Sequence, residues 1–241
     1  MSKLALITGA NKGIGLETAR QLASQGVRVL LGARDAARGQ EAADLLKAEG
    51  LPVSFLQIDV TDSASIQAAA EKVAAEHPHL DILVNNAGVL LETRGQAPSE
   101  LPLSLWRETF NTNVFGLVEV TAAFLPLLKR SPAARIVNLS SILGSITNHA
   151  DPESPIYQSK LAAYSSSKAA VNAWTVQLAY ELRETPHKVN SVHPGWVQTD
   201  MGGEEAPMAI PDGAKTSVRL ALLESDGPNG GFFHMDDTLP W

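Results

Sequence analysis

Short apolar runs rich in β-branched residues alternate along the chain with longer stretches in which apolar residues recur every three or four positions. The short runs fall at 4–7, 27–31, 53–58, 82–84, 135–139, 189–192 and 231–234 and predict seven strands. The longer stretches, at 14–24, 35–49, 63–76, 105–129, 164–184 and 212–223, predict helices, with Asp35, Ser63 and Asp212 placed to cap three of them. A strand–helix–strand alternation describes a parallel sheet, because parallel neighbours need a crossover and the helices supply it. The expected fold class is therefore α/β, one domain over 1–241 with a doubly wound, seven-stranded parallel sheet and helices on both faces. Residues 144–163 form a polar, proline-containing connection too long for an ordinary strand-to-helix turn, and are expected to be a lid or an interface loop.

Composition narrows the function classes more than the fold. With 44% hydrophobic and 19% charged residues, a chain of 241 residues can bury one large core. A formal charge of −7 offers no basic field to a phosphate backbone, so no nucleic-acid partner is expected. No apolar run has the length of a membrane span, and the first strand begins at once, leaving no room for a leader; a cytoplasmic protein without a membrane partner is expected. The absence of cysteine removes disulfides, thiolate nucleophiles and cysteine metal sites together, so catalysis falls to oxygen and nitrogen groups. His77 and His79 bring no third ligand of fixed geometry, so no metal is expected. His193 could contact a phosphate or be an ordinary half-buried histidine, and no G-x-S-x-G nucleophile elbow occurs.

In a doubly wound sheet, ligands bind at the carboxyl ends of the strands, where the strand order reverses. The first strand runs into Thr8-Gly9-Ala10-Asn11-Lys12-Gly13-Ile14-Gly15, where the glycines allow a tight turn and the following helix N-terminus can face a pyrophosphate. The plainer reading is a tight βα connection. Tyr164 and Lys168 are four apart on a predicted helix and so share a face. A neighbouring ammonium favours phenolate, which makes the tyrosine usable as an acid or base. Tyr157 competes, but its lysine, Lys160, is three positions away. The strand 135–139 ends in Ser140-Ser141, where a hydroxyl can meet a substrate oxygen as charge develops.

The spacing Gly-x-x-x-Gly-x-Gly resembles that of the short-chain dehydrogenase/reductase family, whose turn reads T-G-x-x-x-G-x-G. Four further signatures follow in that family's order: Asp59-Val60, Asn85-Asn86-Ala87-Gly88, Tyr164-Ser-Ser-Ser-Lys168 and Pro194-Gly195. The stretches ANKGIG, ARD-x-x-RG and HPGWVQTDM look most like the carbonyl reductase branch. The resemblance implies a Rossmann fold, a nicotinamide cofactor and a catalytic set of Asn113, Ser141, Tyr164 and Lys168. It selects Ser141 over Ser140 through S-S-x-x-G, and Asn113 over Asn111 through N-x-x-G. Asn113 would hold a water linking Lys168 to solvent, or equally satisfy a helix distortion. One departure stands out: Ser141 and Tyr164 are 23 positions apart, against roughly a dozen in the family.

By the same resemblance, Gly9, Asn11, Lys12, Gly13, Ile14 and Gly15 would hold the cofactor phosphates, and Asp59 and Val60 the adenine. Asn86, Ala87 and Gly88 would underlie a ribose, Lys168 would bind the nicotinamide ribose, and Pro194, Gly195, Val197 and Thr199 would wrap the nicotinamide. Asp59 could instead cap its own turn. Where NAD-preferring relatives place an acid at the end of the second strand, this chain has Ala33, followed by Arg34. Together with Lys12 this favours NADP(H), whereas Arg38 reads as a solvated cation. Ile142, Trp196, Met201 and the segment 202–209 are the expected walls for a small carbonyl substrate. The implied activity is reduction of an aldehyde, ketone or quinone by an NADPH-dependent enzyme, in a homodimer or homotetramer. An NADP-binding regulatory or redox-sensing protein of the same fold, or an alcohol dehydrogenase running oxidatively, remain the alternatives.

Overall fold

Alternate residues of the central strands feed two separate cores, as a sheet covered on both faces requires. The structure, a computed structural model, describes residues 2–93 and 95–241, so Met1 and Arg94 of the expected domain lie outside it. In β1 (Leu4–Ile7), Ala5 and Ile7 join one apolar cluster while Leu4 and Leu6 join the other. β2 (Arg28–Ala33) and β4 (Ile82–Asn85) divide in the same way, Leu31 and Val84 to the first cluster, Leu30 and Leu83 to the second. The first cluster is closed by α1 (Gly13–Ser24), α2 (Ala36–Ala48) and α8 (Ile210–Ala221). The second is closed by α3 (Ser63–Glu76), α5 (Leu117–Lys129) and α7 (Ala162–Glu181).

With β3 (Val53–Gln57), β5 (Arg135–Leu139), β6 (Lys188–Val192), β7 (Phe232–His234) and β8 (Asp237–Thr238), the strand order is β3-β2-β1-β4-β5-β6-β7-β8. β1 lies between β2 and β4, both parallel to it, so the chain reverses its direction of travel across the sheet there. The crevice this reversal opens is where the motif-bearing loops meet. The seven expected strands are all present and parallel; the eighth is a two-residue antiparallel return on β7, too short to leave a period in the sequence.

Three other expectations are refined. The helix expected over 105–129 is α4 (Leu103–Phe110) and α5 joined by a π-helical stretch, Asn111–Gly116. As one rod, Leu103–Lys129 is 27 residues long and is, by length and composition, apolar enough to cross a membrane, unlike any run recognised in the sequence. Its apolar side is spent on the second core through Val120, Phe124, Leu127 and Leu128. Asp35 caps α2 through Arg38 N, as expected, but α3 is capped by Asp62 and not Ser63, and α8 has Ala209 at its cap position and a proline in its first turn, leaving Asp212 inside the helix. The long connection 144–163 is ordered by α6 (Ile146–Ala150), with the Ser145 side chain accepting from Asn148 N. His149 Nε2 meets Leu143 O at 2.9 Å, and Lys160 Nζ donates to His149 O at 2.8 Å.

Candidate active site

At the end of β1 the backbone turns through Gly9 and Gly13, both with positive φ (63° and 57°), a conformation that costs glycine nothing. A Cβ on Gly9 would lie 2.9 Å from Ala87 Cα, and one on Gly15 would strike the Asn86 side-chain amide and lie 2.7 Å from Gly9 O. The Asn86–Gly88 segment is thus pressed against the glycine turn. It is fixed there by Asn86 Nδ2, which donates to Thr8 O (2.8 Å) and Gly9 O (3.0 Å), and by Thr8 Oγ1, which accepts from Asn86 N and Ala87 N.

The N-termini of the three helices around this crevice are finished differently. α2 and α3 carry aspartate caps, whereas α1 begins after Lys12 with no side-chain cap and no acidic residue in its first turn. The first-turn amides of a helix need acceptors, and at α1 the position suits an anion. Lys12 itself pairs with Asp200 at 2.6 Å, joining the glycine turn to the loop after β6. The same two segments approach again where a Cβ on Gly13 would lie 3.5 Å from Thr199 Cγ2.

Arg34 follows β2 directly, is exposed like Arg38, and forms no ion pair among the described residues. After β3, Asp59 Oδ1 accepts from Thr61 N (2.9 Å) and Thr61 Oγ1 (2.7 Å), so one oxygen caps its own turn. Val60 O blocks the space a Cβ on Gly116 would need, which brings this turn against the π-helical stretch.

Tyr164 and Lys168 both emerge on the buried face of α7, with Lys168 Nζ 5.7 Å from the Tyr164 ring centre. The Ser141 hydroxyl is hydrogen-bonded to the Tyr164 phenol, which draws its pKa down, but burial is the larger effect and pushes it up to about 12. Burial also lowers the Lys168 ammonium to about 8, while its Nζ donates to Leu139 O at 2.7 Å. Ser140 turns away and bonds the Lys168 carbonyl, so of the two serines it is Ser141 that meets the tyrosine. The 23-residue interval does not separate them, because the turn Ile142–Gly144 packs on α7 so tightly that a Cβ on Gly144 would lie 2.7 Å from the Lys168 carbonyl carbon. Tyr157 is held apart, 4.5 Å from the Lys160 ammonium.

Asn113 lies in the π-helical stretch and is buried, and its side chain brackets Val89. Oδ1 accepts from Val89 N (2.7 Å), and Nδ2 donates to Val89 O (2.9 Å) and Ser167 Oγ (3.0 Å). Its side chain thus ties the π-helical stretch to the loop after β4 and to α7, and its oxygen and Lys168 Nζ face the same spot above Gly88, at 3.3 and 3.5 Å from a Cβ built there. On the far side of the crevice, Val197 is buried and pairs with Met208, folding 202–209 back on 197. Thr199 Oγ1 serves its own turn, accepting from Gly202 N and donating to Val197 O. Ile142 is half-buried beside Ser141, while Trp196 (42% exposed) and Met201 (45%) stay open to solvent. His193, half-buried and 4.9 Å from the His234 ring, has its pKa pushed down to about 3 by desolvation and accepts from Gly195 N at 3.4 Å, the behaviour of a neutral histidine beside Pro194 and Gly195.

Sequence reasoning missed two groups. A buried polar chain beneath the site runs Asn85 to Thr121 and Asn138, and Asn138 to Thr175, which also receives Ser191. Asparagines inside otherwise apolar strands were its visible signal. Glu92, which bonds backbone amides of α7, left no such signal.

Comparison with known proteins agrees with this arrangement. The short chain dehydrogenase family model matches residues 3–209. Carbonyl reductase [NADPH] 1 of Sus scrofa is 36% identical over 278 aligned residues, covering 100% of this chain and 94% of that protein. A (+)-neomenthol dehydrogenase of Arabidopsis thaliana is 36% identical over 285 residues, covering 96% and 95%. Among solved structures, the NADPH-bound carbonyl reductase from chicken fatty liver superposes with a TM-score of 0.86 at 30% identity, covering 100% of this chain and 99% of that one. Salutaridine reductase from Papaver somniferum gives 0.82 at 32% identity, covering 96% and 99%. With the motifs in order, the doubly wound sheet and a family match across most of its length, this chain belongs to the short-chain dehydrogenase family.

Proposed function

We propose that the chain reduces the carbonyl group of a small aldehyde, ketone or quinone to an alcohol, with NADPH as reductant and Tyr164 as proton donor. The observation that carries this reading is the buried Ser141–Tyr164–Lys168 group standing beside a glycine turn and the N-terminus of α1, which has no side-chain cap. The residues fit the cofactor: Gly9 and Gly15 let the 86–88 segment close against the turn, Gly13 takes the positive φ the turn needs, and the first-turn amides of α1, preceded by Asn11 and Lys12 and including Ile14, suit a pyrophosphate. Arg34, with Lys12, suits a 2′-phosphate; the second oxygen of Asp59, with Val60, suits the adenine. Asn86, Ala87 and Gly88 form the ribose floor, and Pro194, Gly195, Val197 and Thr199 the nicotinamide wall.

When bound, NADPH supplies the hydride that adds to the carbonyl carbon. Tyr164 gives its phenolic proton to the carbonyl oxygen, and Ser141 donates a hydrogen bond to the same oxygen as charge gathers there. A phenol near 12 is fully protonated at neutral pH, so the donor is loaded before substrate arrives. The Lys168 ammonium, at about 8, remains largely cationic at neutral pH and lowers the cost of the phenolate left behind. Because both amide hydrogens of Asn113 are engaged, a water relaying protons to Lys168 is held through Asn113 Oδ1.

The test follows loss of reduced-nicotinamide absorbance with NADPH or NADH across aldehydes, diketones and quinones, for the wild type and Tyr164→Phe. Turnover by the wild type should prefer NADPH and fall by roughly 10²- to 10⁴-fold in the variant, with NADPH still bound. An unchanged rate in Tyr164→Phe would remove the tyrosine from the mechanism. NADPH binding with no substrate turned over would favour a regulatory protein, and a preference for NADH would overturn the roles of Lys12 and Arg34.

A further inference from the structure

Every buried helix N-terminus must find acceptors for its first amides, usually from a side chain immediately before it. α7, the helix carrying Tyr164 and Lys168, has the apolar Leu161 at that position, with no side-chain cap and no acidic residue in its first turn. Ala163 and Tyr164, its second and third residues, are buried, so water does not take the place of a cap. Their amides are met from elsewhere in the chain. Glu92 Oε2 accepts from Ala163 N at 3.3 Å and Oε1 accepts from Tyr164 N at 2.6 Å, across 71 and 72 positions of sequence. The carboxylate is only 8% exposed although it stands on the loop after β4, and it lies at the end of the helix where the dipole favours negative charge.

The contact closes a ring of short links around the tyrosine. Asn86 anchors the start of the 86–92 segment to the glycine turn, and Asn113 clamps Val89 in its middle. Glu92 ends it on the Tyr164 amide. The Tyr164 carbonyl is held by Ser167 Oγ at 2.7 Å, and Ser167 Oγ accepts from Asn113, which completes the circuit. Both backbone polar groups of the tyrosine are therefore tied to the segment that also forms the floor of the crevice.

We propose that Glu92 is a positioning residue for the reaction: by capping α7 from the β4 loop, it holds Tyr164 in register with the Gly9–Ala87 contact, so that the phenol and the cofactor floor move as one body. The proposal rests on the reading of Tyr164 as proton donor, because it assigns Glu92 no contact with the reacting atoms. It differs from a purely structural role in what it affects. Misplacing a reacting group by about an ångström costs on the order of 10²-fold in rate while leaving binding intact.

The experiment compares Glu92→Ala, Glu92→Gln and Tyr164→Phe in the full chain. Glu92→Ala is expected to lower kcat by roughly 10- to 100-fold with NADPH affinity and KM within about twofold of wild type. Glu92→Gln keeps one carbonyl acceptor for Tyr164 N and should recover to within about threefold of wild type. If the alanine variant does not fold, Glu92→Met, which fills the space without an acceptor, replaces it. Amide hydrogen exchange of residues 163 and 164 reads the cap without turnover: fast exchange in the alanine or methionine variant and slow exchange in the glutamine variant are expected. A kcat within twofold of wild type, a loss of NADPH affinity equal to the loss of rate, a glutamine variant as impaired as alanine, or unchanged exchange would each overturn the proposal. Failure of the tyrosine reading shows separately, as an unimpaired Tyr164→Phe.

Discussion

Lys168 carries its charge at a cost in stability. Burial favours the neutral amine, so between the folded value of about 8 and the ordinary 10.5 the unfolded chain holds the extra proton. Stability therefore rises with pH across that window, and the full penalty is carried below it. The interval corresponds to roughly 3 kcal/mol, from which an orphaned Leu139 carbonyl in a Lys168→Met variant subtracts about 1 kcal/mol. Lys168→Met is thus expected to be about 2 kcal/mol more stable than wild type at neutral pH and nearly inactive, with the pH slope gone; urea melts at pH 7, 8 and 10.5 check it. Tyr164 acts in the opposite sense at a higher pH: its pKa is raised from 10 to about 12, so its contribution is complete below 10 and lost as pH rises toward 12. In the reducing direction, kcat/KM should fall as pH rises through about 8, when Lys168 loses its charge before the phenol loses its proton. The Tyr-Lys spacing made this pair legible from the chain alone. Glu92 was not legible, because a cap delivered from 72 positions away has no local pattern.

At the level of elements, the contrast between capped and uncapped helices predicts which substitutions touch stability and which touch the site. Asp62→Ala removes the acceptor for Ala64 N and should cost about 1 kcal/mol in melts without altering NADPH affinity. Gly15→Ala should touch both, since its methyl would press on the Gly9 carbonyl and force the Asn86 amide off it: melts should show a loss of stability and equilibrium titration a severe weakening of NADPH binding. The positions of β1 to β7 followed from apolar runs, because the central strands, buried on both faces, have little freedom in composition, and even the edge strand β3 keeps Val53 and Leu56 buried. The π-helical stretch did not, since one inserted residue leaves the apolar stripe of Leu103–Lys129 nearly continuous while turning Asn113 toward Val89. The order within 144–163 was hidden for another reason: it rests on polar contacts of His149 and Lys160 with backbone carbonyls, which leave no apolar period in the sequence.

The whole molecule carries a formal charge of −7 and is proposed to recruit a polyanion, so binding depends on a small cationic corner against an unfavourable overall field. Lys12 and Arg34 form that corner, and salt screens exposed charges of this kind. NADPH affinity should fall with ionic strength more steeply than NADH affinity, narrowing the preference between them, and titrations of both at low and high salt test this. The Lys12–Asp200 pair adds a question of timing. Both partners are exposed, and their 2.6 Å contact joins the two loops between which a cofactor would enter. A phosphate arriving at Lys12 must displace a carboxylate already there, so the pair acts as a turnstile, slowing arrival while leaving the bound complex unmarked. Stopped-flow mixing of NADPH with Asp200→Asn should show association faster by about two- to threefold, the modest scale of exposed ion pairs, with dissociation unchanged.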